Sequence, residues 1–118
     1  MIDTIDFELT AEAEALLLAL CEEHQRRREC GSPRRSAAAF GTVEQIRQLL
    51  PGLWHPDDVF ACCLELSRAG LLRGLAVNNT LEEIDLLDQA VIWYQQTGKR
   101  KFSETLDTLG RIRGIFRP

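Results

Sequence analysis

The sequence predicts one mainly α domain that carries a small β-hairpin (α+β), a three-helix core with further helices at its C-terminal end. Three observations predict it. Before residue 70, apolar residues recur every three to four positions in three separate stretches, the period of helices with one buried side. After residue 70, two apolar-rich runs flank Asn78-Asn79-Thr80, and Asn-Asn tolerates the positive φ that a tight hairpin turn needs. Finally, 118 residues with 45% hydrophobic content, 4 prolines and 8 glycines suit a single domain with one core. That size and composition exclude a two-domain enzyme and a low-complexity chain.

Each element has a local reason. Thr10 opens a run with apolar residues at Ala13, Leu16, Leu17, Leu20 and Cys21. Its hydroxyl suits an N-cap, and Glu12 and Glu14 sit near the positive end of the helix dipole. The first helix is expected over residues 10–29, with Arg26, Arg27 and Arg28 in the last turn, where cations favour the negative end. Gly31-Ser32-Pro33-Arg34-Arg35-Ser36 reads as a loop, and residues 37–40 as a very short extended piece. Thr42-Val43-Glu44-Gln45 has capping-box spacing, so a second helix follows, with Val43, Ile46, Leu49 and Leu50 on its apolar side and Pro51-Gly52 as its stop. Pro56 suits the first turn of a third helix, with Asp57 and Asp58 beside its positive end. Val59, Phe60, Cys63, Leu64 and Leu66 supply that helix's buried side as far as Gly70, a natural C-terminal stop.

Residues 71–77 and 81–86 suit the two strands of the hairpin, the second alternating apolar and acidic at Ile84 and Leu86. Asp88 suits the cap of a fourth helix over residues 89–97, whose Val91, Trp93 and Tyr94 would cover the hairpin, with Gly98 closing it. The core domain is therefore expected over residues 1–98. In residues 99–118, Phe102, Leu106, Leu109, Ile112, Ile115 and Phe116 recur by threes and fours, a fifth amphipathic helix or arm. Gly110 and Gly114 weaken such a helix by roughly 1 kcal/mol each relative to alanine, so it needs a packing partner; the expected one is a second copy of the chain.

The net charge of −4 speaks against a chain that coats nucleic acid or anionic lipid over its whole surface. It is unevenly spread: residues 1–98 hold 8 Lys/Arg against 16 Asp/Glu, whereas residues 99–118 hold 6 against 2. The N-terminus lacks the basic and apolar regions of a signal peptide, and no apolar run is long enough to span a membrane, so a cytoplasmic protein is expected. Cys21, Cys30, Cys62 and Cys63 do not form a disulfide framework and are expected as reduced thiols. Cys21 and His24 are three apart on one helix, but with His55, Cys30, Cys62 and Cys63 they give no standard paired-ligand spacing, so neither a metal site nor a cofactor is expected. No nucleophile elbow, P-loop or dinucleotide fingerprint occurs, and no enzymatic activity is expected.

The order helix, loop with short strand, helix, turn, helix, hairpin, helix resembles the winged helix-turn-helix superfamily over about residues 10–98. Leu64-Glu65-Leu66-Ser67-Arg68-Ala69-Gly70-Leu71-Leu72 is similar to that superfamily's passage from the third helix into the wing. Residues 84–94 are similar to its strand-to-helix exit, with Leu87 in place of the usual capping threonine and Ala90 in place of the usual glycine. There the third helix commonly enters the major groove while the wing touches the backbone. The resemblance thus implies a small DNA-binding protein of transcription regulation, dimeric through its terminal helices.

The residues at those places pull the other way. The third helix offers Asp57, Asp58, Glu65 and Arg68 as its outward charges, and the wing turn, Asn78-Asn79, has no cation. Carboxylates facing phosphates repel them. Contact with DNA would then rely on Arg26, Arg27, Arg34 and Arg35, on Arg68 and Arg73, on Asn78 and Asn79 of the wing, and on Lys99, Arg100 and Lys101 of the tail. The alternative is a protein-interaction module on the same scaffold. It would bind through Asp57, Asp58 and Glu65 and through the apolar tail residues Phe102, Leu106, Leu109, Ile112 and Phe116.

Overall fold

The first helix, α1 (Ala11–Glu29), begins where the sequence places it: Thr10 is extended, and its hydroxyl accepts the Ala13 N–H at 3.2 Å. The structure, a computed structural model, describes residues 8–98. Along α1, Ala15, Leu16, Leu17 and Leu18 are buried in succession. Successive helical residues point about 100° apart, so α1 must be enclosed from more than one side. The expected stripe is thus only part of its buried surface.

The turn after α1 is shorter than expected. Residues 34–37 form a single helical turn, α2 (Arg34–Ala37), which corrects the reading of Gly31–Ser36 as a continuous loop. Pro33 is held extended at the N-cap, its carbonyl accepts the Ala37 N–H at 2.9 Å, and Ala37 is fully buried. Strand β1 (Ala39–Gly41) follows. Helix α3 (Val43–Leu49) opens with both halves of the capping box: Thr42 Oγ1 accepts the Gln45 N–H at 3.1 Å, and Gln45 Oε1 accepts the Thr42 N–H at 2.9 Å. Leu50 leaves the helix extended, the conformation forced on a residue before proline. Leu49, expected in the core, is instead 38% exposed.

Helix α4 (Pro56–Arg68) starts with Pro56 in its first turn and His55 as cap, whose Nδ1 accepts the Asp57 N–H at 3.1 Å. It ends in a Schellman turn, with Gly70 N–H donating to Ser67 O at 3.1 Å and Leu71 N–H to Leu66 O at 3.0 Å. Gly70 takes φ +79°, the left-handed conformation that glycine adopts without strain. Val59, Cys63 and Leu66 form its fully buried side, together with Cys62, while Phe60 and Leu64 are only partly covered.

Strands β2 (Leu72–Val77) and β3 (Thr80–Leu86) form the expected antiparallel hairpin. Asn78 and Asn79 have φ of 49° and 63°, the two positive values of a type I′ turn. β1 pairs antiparallel with the other side of β3, giving the order β1-β3-β2. On β3 the register slips by one residue opposite Gly74, between the pairs Arg73–Asp85 and Leu75–Glu82. Glu83 absorbs the bulge at φ +50°, an uncommon conformation for a residue with a side chain.

Helix α5 (Asp88–Trp93) continues as a π-helical turn over Tyr94–Gly98. Its N-cap is Leu87, without a side-chain bond, so Asp88 does not cap it. The Asp88 carboxylate reaches Arg34 at 3.1 Å instead. Tyr94, expected to cover the hairpin, reaches α1. α5 and the π turn pack on α1, where the Tyr94 hydroxyl donates to the Glu22 carboxylate and Cys21 Sγ lies 3.7 Å from the Ala90 carbonyl. The expected tail over residues 99–118 lies outside the described residues.

Candidate functional site

Cations and carboxylates decide what this surface can hold. Arg26 and Arg27 project from the last turns of α1 and meet the same carboxylate, Glu23, three and four residues back. Arg26 contacts both of its oxygens, at 2.9 and 2.7 Å, and Arg27 Nε donates to it at 2.9 Å. The hydrogen bond from Arg26, aided by Arg27, outweighs burial and holds the Glu23 carboxyl down at about 2. Arg27 also donates to the Ala39 carbonyl at 2.8 Å and stacks on the Phe40 ring, 4.5 Å from its centroid. It therefore pins the start of the sheet to α1.

Of the other cations, Arg73 pairs with Asp85 at 3.1 Å across the hairpin, and Arg34 pairs with Asp88. Arg47, on α3, pairs with Glu44. Arg35 and Arg68 are exposed and make no ion pair among the described residues. Lys99, Arg100 and Lys101 lie outside the described residues, as do Phe102, Leu106, Leu109, Ile112 and Phe116.

The lowered pKa of Glu23 fixes a pH dependence. A carboxyl depressed in the folded state adds stability above its ordinary 4.5 and loses it as pH falls towards 2. Glu23→Gln should therefore lower the unfolding midpoint at pH 7. Urea titrations at a series of pH values should show the gap from the parent chain closing between about pH 5 and pH 2. A gap that is constant across that range would contradict the pairing.

The outer face of α4 has a different character. Asp57 is 91% exposed, and Asp58 and Ala61 are exposed beside it. His55 Nδ1 accepts the Asp57 N–H and lies 3.8 Å from the Asp57 carboxylate. Leu53, in the loop between α3 and α4, is 81% exposed, and Leu49 stands at the end of α3. Leu53 follows Pro51-Gly52 directly and precedes Trp54, which is buried in the core, so the loop turns these two neighbours opposite ways.

Glu65, expected as an outward charge with Asp57 and Asp58, is half-buried and engaged. Its carboxylate accepts the Thr10 N–H at 2.7 Å and the Thr10 hydroxyl at 2.9 Å, tying α4 to the start of α1. The hairpin tip, Asn78 and Asn79, is exposed, and β3 carries the half-buried Glu82 and the exposed Glu83. The exposed start of α4 is therefore acidic, with Arg68 at the far end of the helix.

The four cysteines are free thiols; Cys30 is exposed, and Cys21, Cys62 and Cys63 are buried. Burial pushes the Cys63 thiol up to about 12 and raises that of Cys21 further from its ordinary value. Thiolate is the reactive form, so a neutral-pH thiol reagent should label one cysteine in the native protein and four after unfolding. Rapid native labelling of a second cysteine would show the core is open. Cys21 and His24 do not converge on a common ligand position: Cys21 faces Ala90, and His24 lines a separate cleft.

The chain matches no protein-family model, no curated protein and no solved structure. Among the described residues, no helix is long and apolar enough to cross a membrane.

Proposed function

We propose that the chain is a winged-helix module that docks another protein through the outer face of α4 and the adjoining loop. The occupant is a basic segment with apolar side chains. One observation carries the reading: three arginines on which DNA contact would depend, Arg26, Arg27 and Arg73, are engaged by Glu23 and Asp85, while Asp57 and Asp58 stand exposed. An acidic rim beside the exposed Leu53 complements lysine or arginine flanking an apolar anchor, the usual composition of a rim and its centre. The strand order β1-β3-β2 and the two-residue wing turn support the winged-helix scaffold itself.

The second reading, a dimeric DNA-binding regulator, draws support from the same element order and from Arg35 and Arg68. Fluorescence anisotropy of the full chain separates the two, with a mixed-sequence DNA duplex and a Lys/Arg-rich amphipathic peptide as probes. The docking reading expects the peptide to bind and the double change Asp57→Asn, Asp58→Asn to weaken it by roughly tenfold, because exposed charge pairs contribute under about 1 kcal/mol each. It expects Leu53→Ser to weaken the peptide as well. Duplex affinity that falls steeply between about 50 and 200 mM salt and is lost in Arg35→Ala and Arg68→Ala, with the peptide unbound, would overturn it.

A further inference from the structure

A cleft of about 600 Å³ opens between the C-terminal half of α1, α2 and α5. That volume lies within the range of small-molecule sites. Its lining sorts by chemistry. His24 and Arg28, four apart on α1, face Arg34 of α2, giving three basic side chains from two elements. The apolar part is Leu86 from the end of β3 with Val91 and Ile92 of α5, the last 39% exposed. Gln25 and Gln95 add amides. The carboxylate that lines the cleft is Asp88, and it is held by Arg34 in a pair whose side chains are 73% and 74% exposed. Water screens such a pair, so an incoming anion can take its place at little cost.

We infer that this cleft binds a small organic anion, with a carboxylate or phosphate head between Arg28 and Arg34 and a short hydrocarbon body over Leu86, Val91 and Ile92. Guanidinium forks suit both heads because each offers paired oxygens to parallel N–H donors. Arg28 keeps a donor committed to the Ser32 carbonyl at 3.1 Å, which fixes the side chain while its other donors remain for a ligand. The field in the cleft is positive. His24 is held below its ordinary pKa first by burial and then by Arg28, Arg27 and Arg34, against which Asp88 is the opposing charge. An anion seated there reverses that balance and raises the His24 pKa, so binding tightens as pH falls.

The test uses the full chain and calorimetric titration with hexanoate, hexyl phosphate, hexanamide and inorganic phosphate. At least one of the two hexyl anions should bind saturably, and the tighter one identifies the head. Arg28→Met and Arg34→Met should each weaken it by roughly five- to tenfold. The His24 ring proton, followed by NMR, should titrate at higher pH in the complex. Hexanamide and inorganic phosphate should bind at least tenfold more weakly, since each lacks half of what the cleft recognises. Both arginines are exposed, and unchanged circular dichroism confirms that the variants fold. Equal binding of hexanamide, equal binding of bare phosphate, indifference to both arginine changes, or an unmoved His24 titration each overturns the inference.

Discussion

Leu66→Ala should lower the stability of the chain by about 2–5 kcal/mol. Leu66 is fully buried in the last turn of α4, among the core residues that join α4 to α1 and α3. Its carbonyl also receives the Leu71 N–H that closes the Schellman turn, and Leu71, equally buried, is the apolar residue such a turn sets against the helix. Truncation therefore removes core contacts and loosens the junction that aims β2 away from α4. Urea unfolding should show a lower midpoint with an unchanged slope, the sign of lost stability rather than a changed unfolded state. A cost below about 1 kcal/mol would mean that the α4 core has collapsed around the gap, or is not packed as described.

What was legible in the sequence is what a few neighbouring residues decide. Thr42 and Gln45 satisfy each other's backbone within one turn; Asn78 and Asn79 accept positive φ by their own chemistry; Pro56 and Gly70 mark the ends of α4 by steric rule. Three of the misses need a partner far away in the chain. Glu65 looked like an outward charge because its partner, Thr10, is 55 residues distant. Asp88 is one position inside α5 rather than at its cap, since β3 runs through Leu86 and Leu87 turns the chain, its N–H donating to the Leu71 carbonyl. Ala15 and Leu18 broke the expected stripe because α1 is enclosed by several elements at once, and periodicity reports a single buried side. The candidate surfaces follow the same division. Asp57 and Asp58 were visible as a local charge pair, whereas the cleft joins His24, Arg34 and Val91, which no spacing rule connects.

Gly41→Ala should cost about 2–3 kcal/mol through two separable effects. Gly41 has φ +81°, where a side chain is strained by roughly 1–2 kcal/mol. A Cβ there would also stand 2.0 Å from Gln45 Oε1 and 2.8 Å from Gln45 Cδ, so the glutamine must move away. Its side chain is free to swing, and the steric part is cheap. What is lost is its acceptor role for the Thr42 N–H, half of the capping box at the start of α3, at about 1 kcal/mol. A double-mutant cycle divides the two effects. In a Gln45→Ala background the clash and the bond are already gone, so Gly41→Ala should then cost only the backbone share, leaving a coupling of about 1 kcal/mol between the sites. Fully additive changes would mean that Gly41 is glycine for its φ alone. Had the coupling been the whole effect, the left-handed conformation would carry no strain and the β1–α3 corner would tolerate any small residue once Gln45 is shortened.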